Sequence, residues 1–241
     1  MIRQLTYLTG EELRKLFRGS KLKVLLLLSF FVGILFVLTG GYFDLDGNVS
    51  LIALDLLLPV LLPLFMASLG SELMVTEWKD GTIKNALKLP LSREMMYLGK
   101  LAAGWAAGAL IVLGVFVPTS LGDFLLRGMP ALSALGATAA AYASAVVFCG
   151  LLLTLSNSVS LWSGSGGVGL VASVLIWMGM SVVGLLEPEY SRFFVTSYAD
   201  WLQPLLRGGD VGASLTMLLF MAAYYIIGTI LGMLAFQRKE I

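Results

Sequence analysis

Long, continuous apolar stretches limit what this chain can fold into. Six of them approach or reach the roughly 20 residues that a helix needs to cross a bilayer. They lie at residues 24–43, 51–73, 101–121, 131–156, 166–186 and 211–236. The apolar residues do not alternate with polar ones, which disfavours a transmembrane barrel, and hydrocarbon offers backbone amides no partner, so the spans must be helical. The sequence therefore predicts one all-α membrane domain over residues 1–241 with six transmembrane helices.

The amino-acid composition is typical of a membrane protein, and it excludes several kinds of functional site. The 241 residues are 58% hydrophobic and 13% charged, with a mean hydropathy of +0.90. There is no histidine, and the one cysteine, Cys149, lies within an apolar stretch. A disulfide within the chain and a His/Cys metal site are therefore excluded. Nucleophilic catalysis by a histidine-activated Ser or Cys finds no support, and we expect no enzyme activity in this chain.

The lysines and arginines are distributed unevenly between alternate connections. Segments 1–23 and 76–100 and the C-terminal tail hold 13 of them, whereas the alternate connections hold three. Basic residues concentrate in cytoplasmic loops. We therefore expect a multi-pass protein of the cell (plasma) membrane with both termini and the 76–100 segment in the cytoplasm.

Two segments outside the spans have patterns of their own. Residues 1–23 resemble an interfacial elbow helix on the inner leaflet, capped by Thr9 and ended by Gly19 and Ser20, although a plain basic flank is the alternative. Residues 187–210 are long and aromatic for a connection. We expect short, partly re-entrant helices there, with a plain aromatic belt at the outer interface as the alternative.

The segment 76–100 holds eight of the 31 charged residues and still keeps a helical apolar pattern. Gly81 offers a turn, and Pro90 ends the short helix that follows. The apolar side chains share one face: Ile83, Leu87 and Leu91. Ser92 can cap a second helix that enters the third span. Because a two-turn helix is unstable alone in water, its apolar face must be buried against lipid or protein.

This stretch, TEWKDGTIKNALKLPLSREMMYLGK, resembles the signature of ABC-2 type transporter permeases. In that family a Glu, a Gly-Thr pair, an apolar helix, Pro-x-Ser-Arg and a Lys follow the second span at this spacing. The plan of the chain is also similar, with an elbow helix, six spans and a long outer segment between the last two. The resemblance implies an ABC-2, type V exporter-like architecture.

The resemblance implies that segment 76–100 is a coupling helix that docks into a separate cytoplasmic ABC ATPase. The residues that match the signature or its docking face are Glu77, Gly81, Thr82, Ile83, Lys84, Leu87, Lys88, Pro90, Leu91, Ser92 and Arg93. The apolar members would be buried in the contact, and the basic members would meet acidic groups or anionic lipid. Two ATPases would serve two permeases, as a homodimer or with a related permease. The chain has no nucleotide-binding motif or cofactor of its own, so ATP and Mg would be bound by the ATPase; no nucleic acid is implied.

The second span holds the candidate cargo path. Pro59 and Pro63 should kink it, and Asp55 and Glu72 are acidic groups near its two ends. Either carboxylate could contact cargo, with a salt bridge or water as the alternative.

The function implied is export of an amphipathic or lipophilic cargo, such as a peptide, a drug or a lipid. An ABC permease for antimicrobial-peptide sensing or immunity is one alternative. An ATP-independent six-span secondary carrier is the other, and the lack of a convincing internal repeat counts against it.

Three further patterns concern packing. The stretch NSVSLWSGS at 157–165 is expected to be a cytoplasmic loop, which either contacts a partner or is simply short. GSGGVG at 164–169 matches a dinucleotide-binding pattern, but it opens an apolar span and so favours close packing. Two G-x-x-x-G pairs predict close helix approach, either within the subunit or between subunits: Gly104/Gly108 and Gly228/Gly232.

Overall fold

The protein is built from helices, and no strand occurs in the residues that the structure covers. The computed structural model describes residues 2–42, 48–79, 92–199, 201–202 and 211–238. The helices are α1 (Ile2–Arg18), α2 (Ser20–Tyr42), α3 (Val49–Leu57), α4 (Leu61–Glu72), α5 (Val75–Lys79), α6 (Arg93–Arg127), α7 (Met129–Ser163), α8 (Gly166–Leu186), α9 (Pro188–Ser191) and α10 (Val211–Arg238), with a 3-10 helix at Val195–Tyr198.

The structure supports five or six of the predicted spans. Within the described ranges, five helices (α2, α6, α7, α8 and α10) are long and apolar enough to cross a membrane. The predicted second span is a broken pair, α3 and the run Leu61–Trp78 that begins with α4, whose axes differ by 55°; counted as one span, the pair makes six. The chain is therefore an all-α, multi-pass membrane protein.

The prediction of a loop at 157–165 is wrong, because α7 continues through these residues as far as Ser163. The connection to α8 is only Gly164, which takes the left-handed φ of 68°, and Ser165. The serines that suggested a loop bond to backbone carbonyls instead: Ser160 Oγ donates to Ser156 O at 2.8 Å, and Ser158 Oγ donates to Gly228 O at 2.6 Å. Hydroxyls satisfied in this way are compatible with a buried helix.

Helix α1 begins earlier in the chain than the predicted cap at Thr9. It begins at Ile2, so Thr9 is not its N-cap; Thr9 lies inside the helix and its Oγ1 donates to Leu5 O at 2.8 Å. The predicted break after it is confirmed, since the chain bends at Gly19 before α2 begins at Ser20. Its location at a membrane surface stays a prediction.

Helix α7 lies at the centre of the bundle, in contact with α4, α6, α8 and α10, and α2 packs against α6. The glycines of both G-x-x-x-G pairs serve these contacts inside the subunit. A Cβ added at Gly108 would lie 3.1 Å from Met66 Sδ, and one at Gly228 would lie 2.9 Å from Leu155 Cδ2. In the GSGGVG stretch, a Cβ at Gly169 would overlap Ser160 Oγ, so this glycine is required for close packing of α7 and α8.

The described parts of the segments predicted to be cytoplasmic meet at one end of the bundle. There the Arg93 guanidinium, at the start of α6, donates to Gln237 O at the end of α10, at 3.0 Å. At the other end Asp123 contacts the start of α3. Trp201 Nε1 of the outer segment donates to Ser144 O, near the middle of α7, at 3.3 Å. This arrangement agrees with the predicted topology, whereas the side that faces the cytoplasm stays a prediction.

The described part of the outer segment forms α9 and the 3-10 helix. Tyr198 is buried and stacks on Phe220 of α10, with 5.5 Å between ring centroids. One aromatic side chain of this segment, that of Tyr198, therefore packs inward against the bundle. Whether the segment re-enters the membrane stays a prediction.

The kink predicted in the second span is confirmed at Leu58–Val60. Pro63 has no N–H to donate to the carbonyl four residues earlier, that of Pro59. The indole Nε1 of Trp177, on α8, donates to this carbonyl at 2.9 Å. A side chain from a neighbouring helix thus satisfies the backbone group that the proline leaves open.

Candidate functional site

The two ends of segment 76–100 are joined by an ion pair. Glu77 lies on α5, where the chain enters the segment, and Lys100 lies on α6, where the chain leaves it. Lys100 Nζ is 2.7 Å from Glu77 Oε1, and Lys100 is only 2% exposed. The two helices that flank residues 80–91 are therefore joined by a buried contact.

Helix α1 supplies the other half of this cluster. Glu12 Oε2 lies 2.8 Å from Lys100 Nζ, and Glu12 Oε1 lies 2.7 Å from Lys15 Nζ. Lys15 Nζ is also 3.6 Å from Glu77 Oε1. We call these four residues the basal charge cluster: Glu12, Lys15, Glu77 and Lys100. Two acids and two bases from α1, α5 and α6 thus balance one another.

Local sequence explains how α1 comes so close to α6. Glu12 and Lys15 are three residues apart and lie on one helix face, which points toward α6. Gly99, the neighbour of Lys100, leaves space for Leu8 of α1: a Cβ at Gly99 would lie 2.5 Å from Leu8 Cδ2. The glycine therefore allows the carboxylate of α1 to reach the lysine of α6.

Burial of these charges is costly unless each has a partner. Burial raises the pKa of Glu12, but the ammonium groups of Lys100 and Lys15 lower it by more, so that the pKa lies below the usual 4.5. Burial lowers the pKa of Lys15, but its hydrogen bond and attraction to Glu12, with a weaker attraction to Glu77, raise it above the usual 10.5. Both groups are therefore ionised at neutral pH, as the cluster requires.

Three predicted coupling residues lie in the described part of the chain. Glu77 belongs to the basal charge cluster. Ser92 caps α6 as predicted, since its Oγ accepts from Met95 N at 3.2 Å. Arg93 is bonded to Gln237 O, and Gln237 Nε2 donates to Glu94 Oε1 at 3.4 Å. The start of α6 is thus tied to the end of α10.

The other predicted coupling residues lie outside the described residues, and their role stays a prediction. They are Gly81, Thr82, Ile83, Lys84, Leu87, Lys88, Pro90 and Leu91.

The four residues predicted to form the cargo path do not all lie at one site. Pro59 and Pro63 line a cavity of about 420 Å³ beside the break in the second span, whereas Asp55 and Glu72 do not line it. Glu72 Oε2 instead pairs with Lys21 Nζ at 2.9 Å, which is the salt bridge given above as the alternative. Asp55 is exposed on α3.

Sequence patterns did not predict the partners inside this site. Lys100 closes the family signature, but nothing in the pattern paired it with Glu12. Asp123 follows the third predicted span, and no pattern assigned it a partner; it is 3% exposed and accepts from Val49 N at 2.8 Å and Ser50 N at 2.9 Å. The signal in each case was a charged residue flanked by apolar residues of a span, which requires a buried partner.

The family assignment follows from a comparison with protein-family models. The model of the ABC-2 family transporter protein matches residues 10–186, which include the second half of α1, segment 76–100 and the spans from α2 to α8. No curated protein matches the chain. The match covers most of the chain, and the family is a membrane transport component that associates with an ABC ATPase. The chain belongs to the ABC-2 transporter family and is a permease subunit of an ABC transporter.

Proposed function

We propose that this permease exports an amphipathic or lipophilic cargo and is driven by a separate ATPase that docks on segment 76–100. The observation that carries the proposal is the basal charge cluster, in which the entry and exit of the segment meet at the buried Lys100. A force applied to residues 80–91 would reach α5 and α6 together, because an ion pair of 2.7 Å joins Glu77 of α5 to Lys100 of α6.

The same cluster suggests which parts would move with the segment. Glu12 bonds Lys100, so α1 would follow α6. Arg93 bonds Gln237 O, so the end of α10 would follow as well. Motion of the ATPase would thus be passed to several spans as rigid bodies.

The proposed assembly has two permease copies, as a homodimer or with a related permease, and two ATPase subunits that bind ATP and Mg. It lies in the plasma membrane with both termini in the cytoplasm. The apolar character of the cavity beside Pro59 and Pro63 supports a lipophilic cargo. In the docking segment, Ile83, Leu87 and Leu91 supply the buried contact.

The proposal is tested by purification of the permease with its native neighbours. We expect an ABC ATPase to co-purify, and we expect Leu87→Asp to abolish stimulation of its ATP hydrolysis by cargo. A carboxylate in a buried apolar contact costs several kcal/mol unless it is paired, because it must be desolvated. Failure of any ATPase to co-purify, together with full activity of Leu87→Asp, contradicts the proposal.

A matched control adds the same charge elsewhere. Ser133 is exposed near the start of α7, at the opposite end of the bundle, where a carboxylate is favoured by the helix dipole. Ser133→Asp should leave co-purification and ATP hydrolysis unchanged. Equal losses in the two variants would indicate a general effect of charge and would contradict a specific docking face.

A further inference from the structure

The cavity beside the broken second span has walls from three membrane-spanning helices. Pro59 and Pro63 come from the break and from α4, Ser156 comes from α7, and Trp177 comes from α8. Val195, in the 3-10 helix of the outer segment, also lines it. The cavity is therefore formed where the second span departs from a continuous helix.

The lining offers an occupant no charge and no free hydrogen-bond donor. None of the side chains that line the cavity is charged. The donors that line it are engaged by backbone carbonyls: Trp177 Nε1 by Pro59 O at 2.9 Å, Ser156 Oγ by Ala67 O at 3.1 Å, Ser173 Oγ by Gly169 O at 2.7 Å and Ser181 Oγ by Trp177 O at 3.0 Å. Polar cargo groups would lose their hydration there without compensation, so the occupant must be hydrocarbon.

The size and the rim of the cavity indicate where this hydrocarbon comes from. The volume of about 420 Å³ lies within the roughly 300–1,000 Å³ of small-molecule sites. Apolar cavities stay dry and take apolar ligands. Residues at the rim of the cavity, on the broken second span and on α8, are exposed at the surface of the subunit. The exposed fraction is 69% for Val60, 56% for Met178 and 51% for Val182. At this depth the surroundings of a span are lipid chains.

We propose that this cavity is a binding site for one acyl chain of a bilayer lipid, which enters between α4 and α8. The chain lies against Pro59, Pro63 and the indole face of Trp177, whose Nε1–H stays on the Pro59 carbonyl. The site is a property of the membrane domain alone. It exists whether or not the docking of an ATPase on segment 76–100 is correct.

The test uses the fluorescence of Trp177 in protein that has been purified in detergent and stripped of lipid. Phosphatidylcholine brominated along one acyl chain, which quenches tryptophan on contact, is added at a rising ratio of lipid to protein and a fixed excess of detergent. The signal of Trp177 is the difference between the wild-type protein and Trp177→Phe. We expect this difference signal to be quenched in a saturable way at a few lipids per protein. Quenching that rises only in proportion to the ratio of lipid to detergent would show mere exposure to the micelle and would overturn the proposal.

Two substitutions on α8 separate the cavity from the outer surface of the helix. Val174 lines the cavity, whereas Val171, one turn away, does not line it and is 55% exposed. Val174→Phe should abolish the saturable quenching by filling the cavity, and Val171→Phe should retain it. Retention in both variants would overturn the proposal.

A second filling variant covers the case in which Val174→Phe does not fold. Val159 lines the cavity from α7, so Val159→Phe should also abolish the saturable component. A second permease copy is the remaining alternative occupant. If cysteines at Val60 of two subunits cross-link in bilayers and no saturable quenching is found, a subunit contact covers the cavity and the acyl-chain site is wrong.

Discussion

The ammonium of Lys100 lies 2.7 Å from the carboxylate of Glu77, across the two ends of segment 76–100. These residues are separated by a stretch that is rich in charge, yet the contact that joins them is buried, with Lys100 only 2% exposed. The pair joins the helices on either side of the proposed docking segment. Glu12 adds helix α1 to the same contact, with 2.8 Å between Glu12 Oε2 and Lys100 Nζ.

Removal of the Lys100 charge should destabilise the permease strongly. In Lys100→Met the carboxylates of Glu12 and Glu77 lose their shared buried partner, and loss of one partner from a buried ion pair costs about 3–5 kcal/mol. Equilibrium unfolding of the purified protein in mixed micelles measures the change. The matched control is Lys21→Met, because the Lys21 side chain is 35% exposed and pairs with Glu72, which is 49% exposed. Such a pair is worth at most about 1 kcal/mol. Equal losses in the two variants would contradict the burial of the cluster.

The stability of the cluster should depend on pH in a defined direction. The pKa of Glu12 is lowered, so its contribution is complete above the ordinary value of 4.5 and is lost as the pH falls through the lowered pKa. The pKa of Lys15 is raised, so its contribution is complete below the ordinary value of 10.5 and is lost as the pH rises through the raised pKa. We therefore expect both contributions in full between these ordinary values.

Glu12→Gln isolates the acid side of this dependence. The variant should unfold at a lower temperature than the wild type at neutral pH, and the difference should shrink as the pH falls below 4.5. Glu11→Gln is the control on the same helix, since the Glu11 side chain is 40% exposed and its pair with Arg14 lies at the surface. A constant difference for Glu12→Gln at all pH values would contradict an ionised Glu12 in the folded protein.

The hydrogen bond from Trp177 to Pro59 should matter only because Pro63 is present. In Trp177→Phe the Pro59 carbonyl loses its partner, and hydrocarbon around a predicted span offers no replacement, so the unsatisfied group costs about 1–3 kcal/mol. In a Pro63→Ala background the new backbone N–H can approach the Pro59 carbonyl, so the same loss of the indole should cost less. A double-mutant cycle on the unfolding free energy measures this coupling. Additive effects would show that the indole does not substitute for the missing backbone donor.

Much of the fold follows from the sequence because the membrane restricts the choices. Apolar stretches of span length predicted the five long helices and the position of the broken pair, and Pro59 and Pro63 predicted the break. Ser92 before Glu94 gave the start of α6, since a side-chain oxygen and an early carboxylate favour a helix N-terminus. These features depend on local chemistry, which is visible in a single chain.

The features that were missed depend on contacts between distant segments. The pairing of Glu12 with Lys100 joins residues 88 positions apart, and Asp123 reaches Ser50 across 73 positions. The polar residues at 157–163 suggested a loop, but Ser158 finds the Gly228 carbonyl on another helix, so the span continues. Local polarity cannot distinguish a solvated serine from one that bonds to a neighbouring helix.

The central claim is that α1 and the base of the docking segment form one body that passes the motion of the ATPase to the spans. A disulfide between Leu8→Cys and Gly99→Cys tests it most directly. A Cβ at Gly99 would lie 3.4 Å from Leu8 Cβ, close to the roughly 3.5–4.5 Å of a disulfide. The measurement is cargo-stimulated ATP hydrolysis by the complex of permease and ATPase, before and after oxidation of the cysteine pair. We expect the cross-linked complex to retain the activity of the reduced one, because the two helices do not separate during the cycle. Loss of the stimulated activity on oxidation, with recovery on reduction, would show that α1 and α6 must move apart and would contradict the account.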